Sequence, residues 1–438
     1  MDARATLRRQ HPDGVPPVRR RELLAWASYD FANSGYTTVV ITAVFNAWFV
    51  ATIAGGADWA TLAWTASLSV SYLLVMLTAP VLGVWIDLRA GKRRVLVAST
   101  VACVSATAAL SACGPGDLVL AVVLVVLSNY AYSIGEGVVA AFLPELAADR
   151  ALGRLSGYGW AIGYVGGLLV LAVCLWWIQS APARGASLAT AVPQTLLITA
   201  VLFGLAALPT LLLLRERSRP QALAAGRGLL AEAGQRLRQA LAGSRGLVDL
   251  RRLLVCIVVY QSGVATVITV AAIFTTQALG FSQAQSITLI LVVNVSAAAG
   301  AFAFGALQDR VGHRAALAAS LLGWLLAVAL FFATDASWAV WTAANIAGVC
   351  MGASQAVGRA LVGYLCPPDR EGEVFGLWSL AVRLAMILGP VSYGLVSWLS
   401  AGNHRLAMLA TGAFFLAGLV LLAGIDPQRG HRAARGAD

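Results

Sequence analysis

The chain has 438 residues, 59% of them hydrophobic and only 12% charged. Soluble domains carry roughly 25% charged residues, so this much apolar surface belongs in a lipid bilayer. The net charge of +11 does not point to nucleic acid, because the basic residues crowd the ends of apolar stretches instead of forming one stripe.

Residues 1–22 form a basic tail, with six arginines before residue 22 and no apolar h-region, so no signal peptide is expected. A membrane helix needs about 20 mostly apolar residues. On that basis twelve spans are predicted: 23–49, 62–86, 94–113, 117–143, 155–179, 193–214, 252–278, 284–308, 315–333, 338–364, 374–399 and 404–424. Barrel strands would be about half as long and would alternate, so an all-α membrane protein is expected. Residues 23–214 and 252–424 then make two pseudo-symmetric six-helix bundles, joined by a linker at 215–251 and followed by a tail at 425–438.

The tails and the even-numbered loops hold 27 of the 31 positive residues, which places both termini in the cytoplasm, with a bacterial inner membrane as the expected location. Trp48, Trp59, Trp176, Trp177, Trp338 and Trp398 lie near the predicted outer ends, as an interfacial belt requires. In the linker, Leu229, Ala233, Leu237 and Leu241 recur every four residues, predicting an amphipathic helix on the lipid surface. The six cysteines are scattered and show no metal-ligand spacing, so they read as small apolar fillers, and no metal or cofactor is expected.

Two charged turns repeat once per half. Gly83, Asp87, Arg89, Gly91, Lys92 and Arg93 form the first; Gly305, Asp309, Arg310, Gly312 and Arg314 form the second, 222 residues on. The later copy reads G-x3-D-R-x-G-x-R and resembles the signature loop of the major facilitator superfamily, which that fold carries between spans 2 and 3 and again between spans 8 and 9. The first copy has one extra residue before Gly91. These residues are expected to lock helix ends at a gate rather than to bind solute. Gly153/Gly157 and Gly372/Gly376 give spans 5 and 11 the same G-x3-G start, and aligning them sets Tyr164 opposite Arg383. Gly389-Pro390 is expected to interrupt span 11.

An ionisable side chain inside a bilayer is costly and marks function by default. Asp30, Glu136, Arg359 and Arg383 are such residues, and each sits on a polar stripe. Asp30, Asn33 and Ser34 share one face of span 1 with Thr37; Tyr132 and Glu136 lie on span 4; Tyr260 and Gln261 lie on span 7; Asn345, Gln355 and Arg359 lie on span 10. Spans 1, 4, 7 and 10 line the cavity in a major facilitator fold, so these residues and Tyr164 are the predicted substrate or proton pathway. Asp30 and Glu136 either pair with Arg359 or Arg383 across a closed gate or handle substrate and protons directly; both readings stand. Arg383 suits a carboxylate, which it can grip in a bidentate way. Tyr29, Tyr36 and Trp160 fit packing as well as ligand stacking.

Several stretches together resemble one branch of the superfamily, the autophagy-related vacuole effluxers. They are Trp26 through Gly35, Phe142 through Leu146 leading into Gly153 to Tyr164, Gly352 through Arg359, Glu373 to Gly376, and Gly389-Pro390. The resemblance implies a solute permease, with amino acids as a solute class, working by alternating access. Span 7 departs from the family pattern at Ser262-Gly263, where an acidic residue usually precedes the glycine, and span 4 departs at Val139-Ala140. The expected partners are the bilayer, a small polar or zwitterionic solute and protons, and a monomer is expected. Rival readings are efflux of drugs, lipids or other amphiphiles, a sensor or scaffold on a transporter fold, and a membrane enzyme. The last has little support, since no H-E-x-x-H, nucleophile elbow or paired-cysteine motif is present.

Overall fold

A computed structural model describes residues 17–221, 228–242, 247–275, 279–333 and 336–436. Most of the basic tail (1–16) lies outside this set, as do the side chains of Leu237 and Leu241. Among the described residues, twelve helices are long and apolar enough to cross a membrane: Arg20–Ile53, Ala60–Arg89, Lys92–Ala112, Leu118–Leu146, Asp149–Gln179, Leu188–Leu213, Val248–Ala271, Thr288–Val311, His313–Ala333, Ser337–Tyr364, Glu371–Leu399 and His404–Ala423. They are spans 1 to 12 below.

Spans 1–6 and 7–12 pack as two bundles with the same internal neighbours. Span 1 lies against 5 and 6, as span 7 lies against 11 and 12; span 4 lies against 2 and 3, as span 10 lies against 8 and 9. Each bundle has its own apolar core. Phe45, Phe49 and Trp64 form a cluster in the first, while Trp324 stacks on Phe415 at 4.9 Å in the second. Between bundles, span 2 meets span 11 and span 8 meets span 5, with further contacts of 5 on 10 and 4 on 11.

Those crossings require small residues. A Cβ on Gly157 would lie 2.9 Å from the Cα of Gly305, and one on Gly376 would lie 2.6 Å from the Ala79 carbonyl. The spacing read as G-x3-G therefore marks where one bundle touches the other. These contacts lie toward the end of the molecule that holds Glu22, Asp149, Asp249 and Arg435, hereafter the charged face.

Three local expectations change. Span 11 runs unbroken from Glu371 to Leu399 with Pro390 inside it, so Gly389-Pro390 is not an interruption. Gly389 instead lets the helix approach span 7, where its added Cβ would lie 2.7 Å from Thr266 Oγ1. The linker forms a helix at Leu229–Ala242, but Ala233 packs on Val84 and Leu88 of span 2, so that face covers protein. Residues 427–434 of the tail also form a helix, which docks on the charged face.

Span 1 is not α-helical throughout. Thr37–Ala43 winds in wider π turns, with Val44 N donating to Val39 O at 3.0 Å. Six consecutive β-branched residues, Thr37 to Thr42, crowd the preceding turn of an ordinary α-helix.

Candidate functional site

Two ion pairs join the bundles beneath the centre. Arg359 on span 10 grips Asp30 on span 1 with both terminal nitrogens, NH1 to Oδ1 at 3.1 Å and NH2 to Oδ2 at 2.9 Å. Its Nε donates to Ser156 Oγ at 3.1 Å, and NH2 also donates to the Ser156 carbonyl at 3.0 Å. The guanidinium lies between two indoles, 4.8 Å from Trp26 and 5.3 Å from Trp160. Gly159 makes room for it, since a Cβ there would lie 2.7 Å from NH2. Every nitrogen of Arg359 is therefore occupied.

The second pair is less complete. Arg383 NH2 on span 11 donates to Glu136 Oε2 on span 4. Among the described residues, its NH1 finds only the thioether of Met386, at 3.1 Å, and its Nε has no partner. The rings of Tyr72 and Tyr132 each stand 5.6 Å from the guanidinium, and Tyr132 donates to Glu136 Oε1 at 3.2 Å. Arg383 is 2% exposed at its side chain, whereas Glu136 is 16% exposed. Among the described residues, both amide atoms of Asn33 on span 1 and the indole nitrogen of Trp160, the ring beside Arg359, also lack partners. A buried donor or acceptor left unpaired costs about 1–3 kcal/mol, so such groups mark where a polar ligand or water fits.

Around the charged face, the two turns act as caps. Asp87, at the end of span 2, accepts from Gly372 N and Glu373 N, both at 2.8 Å, at the start of span 11. Asp309, at the end of span 8, accepts from Gly153 N at 3.0 Å and Arg154 N at 3.2 Å, at the start of span 5. A carboxylate at a helix N-terminus meets unpaired amides and the positive end of the helix dipole.

The extra residue of the first turn, Ala90, takes a left-handed conformation with φ 46° and ψ 58°, whereas Gly312 in the second also has a positive φ, 91°, but an extended ψ of 157°. Gly91 packs against the Trp85 ring, and Gly83 and Gly305 lie at the helix crossings.

Lys92 is fully buried and pairs with Glu145 and, at 3.2 Å, with Glu371. Beside it, burial pushes the Cys366 thiol well above its usual range, with Glu371 and Asp87 adding to the effect, so it is a neutral filler. Arg89, Arg93, Arg310 and Arg314 are exposed on the charged face.

The remaining predicted residues divide. Tyr164 leans on Trp160 at 5.9 Å and lies close to Gln355 without a well-formed hydrogen bond. Ser34 sits against Gly163 and Gly167, where span 1 packs on span 5. Gln261 is buried. Tyr260 lies in the core of the second bundle, with its hydroxyl 3.5 Å from the Ser354 carbonyl. Asn345 accepts from Ser296 at 2.6 Å, between spans 8 and 10 of one bundle.

Sequence reading missed Ser156, Tyr72, Met386 and Arg154, whose Nε donates to Asp309 at 2.8 Å. Arg154 lies inside the G-x3-G stretch of span 5, and a cation beside a helix start facing a known aspartate was the available signal. Among the described residues, no group of three or more His, Cys, Asp or Glu could hold a metal ion.

Residues 50–435 match the family model described as "Vacuole effluxer Atg22 like". The chain is 24% identical over 415 residues to the MFS-type transporter YxiO of Bacillus subtilis, covering 92% of this chain and 94% of that one. It is 24% identical over 305 residues to autophagy-related protein 22-1 of Neosartorya fischeri, covering 64% of this chain and 49% of the fungal protein. Among solved structures, the human organic anion transporter MFSD10 superimposes with a TM-score of 0.71 at 18% identity, covering 94% of this chain and all (100%) of that one. The major facilitator transporter FucP in its outward conformation gives 0.72 at 13% identity, covering 92% and 99%. The fold is therefore that of the major facilitator superfamily.

Proposed function

Because the chain belongs to the vacuole effluxer Atg22-like family of major facilitator-type transporters, we propose that it carries a small polar or zwitterionic solute, amino acids included, by alternating access. The excess of arginine supports reading the charged face as the cytoplasmic one; on that reading both termini lie in the cytoplasm and the structure is the state closed toward it.

The observation that carries the reading is the difference between the two arginines. Arg359 places four of its five N–H groups on protein oxygens, so it serves as a closing contact with Asp30. Arg383 places one N–H on Glu136 and one on a thioether, so it can bind a carboxylate without first losing Glu136. Once the solute's carboxylate sits there, Glu136 faces a second negative charge in a poorly solvated site. Glu136, the more exposed partner of the pair, is the assigned carrier of a coupled proton, so that solute and proton load together and leave together.

The test is counterflow of labelled L-amino acids and of an amphiphile panel into proteoliposomes. Amino-acid exchange that disappears in Arg383→Ala, and loses its response to a pH gradient in Glu136→Gln while exchange persists, supports the reading. Counterflow of amphiphiles alone, or undiminished amino-acid exchange in Arg383→Ala, overturns it.

A further inference from the structure

Each bundle is followed by a short helix that is seated on its own bundle and sends one arginine across to the other. After the first bundle, helix Leu229–Ala242 rests through Ala233 on Val84 and Leu88 of span 2. From there Arg236, steadied by Glu232 at 2.8 Å, reaches Glu373 at the start of span 11, 3.6 Å away.

After the second bundle, helix Pro427–Ala434 is fixed to that bundle at several points. Arg429 grips Asp249 of span 7 with Nε at 2.8 Å and NH2 at 2.7 Å. His431 stacks on Tyr364 at 4.1 Å and places Nδ1 2.8 Å from the Tyr364 carbonyl. Gly430 fits against Leu365 and Asp249, where a Cβ would meet both at 2.8 Å. Arg435 then crosses to Asp149 of the first bundle, with NH2 at 2.8 and 3.0 Å from the two carboxylate oxygens. Asp149 opens span 5 as Glu373 lies in the first turn of span 11. These are the two helix starts that Asp309 and Asp87 cap.

We propose that the two helices form a paired clasp that biases the transporter toward the state closed at the charged face, an inference that rests on the alternating-access reading. The anchors lie within one bundle and survive any rocking of the bundles. The crossing contacts exist only while spans 2 and 11, and 5 and 8, are together. Opening the charged face therefore breaks both arginine crossings, together with the contact of His431 Nε2 on the same Asp149 at 3.4 Å.

The two crossings are weak for different reasons. Arg435 is 33% exposed and Asp149 38%, so water and salt weaken their attraction. Arg236 and Glu373 are shielded, at 11% and 4%, but stand 3.6 Å apart, beyond good hydrogen-bond distance.

The test places spin labels at Arg94→Cys and Ala315→Cys, exposed positions at the starts of spans 3 and 9, in the full chain in nanodiscs. The six native cysteines are buried and spared by the label. The parent should show a dominant short distance and a minor long one. Arg236→Ala and Arg435→Ala should each raise the long-distance population about two- to five-fold, as expected for a weak ion pair. The double variant should combine the two effects and lose most of the salt sensitivity. The charge swap Asp149→Arg with Arg435→Asp should restore the parental distribution.

A visible long-distance population that both alanine variants leave unchanged overturns the clasp alone. No second population in any variant or salt condition overturns the clasp together with alternating access. A charge swap that behaves like Arg435→Ala shows that the crossing contact is not the device.

Discussion

Asp87 and Asp309, 222 positions apart, accept hydrogen bonds from equivalent backbone amides of opposite bundles: Gly372 and Glu373 for one, Gly153 and Arg154 for the other. Both caps take main-chain donors, and the Asp309 cap adds the Arg154 Nε at 2.8 Å. Asp87→Ala and Asp309→Ala should each disfavour the state closed at the charged face by about 1.5–3 kcal/mol, the usual worth of charge-assisted hydrogen bonds. Alkylation of a Ser379→Cys reporter, buried between spans 4 and 11, should accelerate at least several-fold in both variants. An unchanged rate would show that the caps do not hold this state.

The Asp30–Arg359 pair should behave as a closed electrostatic unit. Removing one partner leaves a buried charge uncompensated, at a cost of about 3–5 kcal/mol. Arg359→Met alone should therefore lower the thermal midpoint strongly, and Asp30→Leu with Arg359→Met should recover much of it. Transport should stay lost in both, because the pair must form and break in each cycle. Additive losses of stability in the double variant would contradict the coupling.

Lys92 compensates two carboxylates at once, so its loss should be worse than that of either partner. Lys92→Met should destabilise by about 3–5 kcal/mol. Combining it with Glu371→Gln should bring part of that back, because one of the stranded charges is then gone. Thermal unfolding of the purified single and double variants reads the difference directly.

Gly157 is the tightest test of bundle contact. A valine side chain there cannot coexist with Gly305 Cα and the Ala301 carbonyl at the present separation. Gly157→Val should express and insert, but should hold spans 5 and 8 apart and reduce transport at least ten-fold. Retained transport at near-parental rate would mean that this crossing is looser in the working protein.

Much of the architecture was legible because a bilayer imposes it: a spanning helix must be apolar for about 20 residues, and Asp30, Glu136, Arg359 and Arg383 stood out against that background. Which carboxylate meets which arginine was not legible, since it depends on how two bundles lean together. The Met386 thioether and the Tyr72 ring carry no sequence signal at all, being ordinary core residues until a guanidinium is placed beside them. Pro390 was misread for a related reason. Its missing N–H breaks a helix in isolation, but close packing of Gly389 on span 7 keeps this one continuous. The tail helix was hidden by its short length, and its seat on Tyr364, Leu365 and Asp249 exists only in the folded bundle.

The wide turns at Thr37–Ala43 give the first rod a swivel. Tightening one of them to ordinary α spacing would rotate everything beyond Val44 by one residue's worth of winding, about 100°, while Asp30 stayed in place. The mouth of the passage away from the arginine-rich side can thus be reshaped by a single rod twisting about its own axis, with no tilt of the body that carries it.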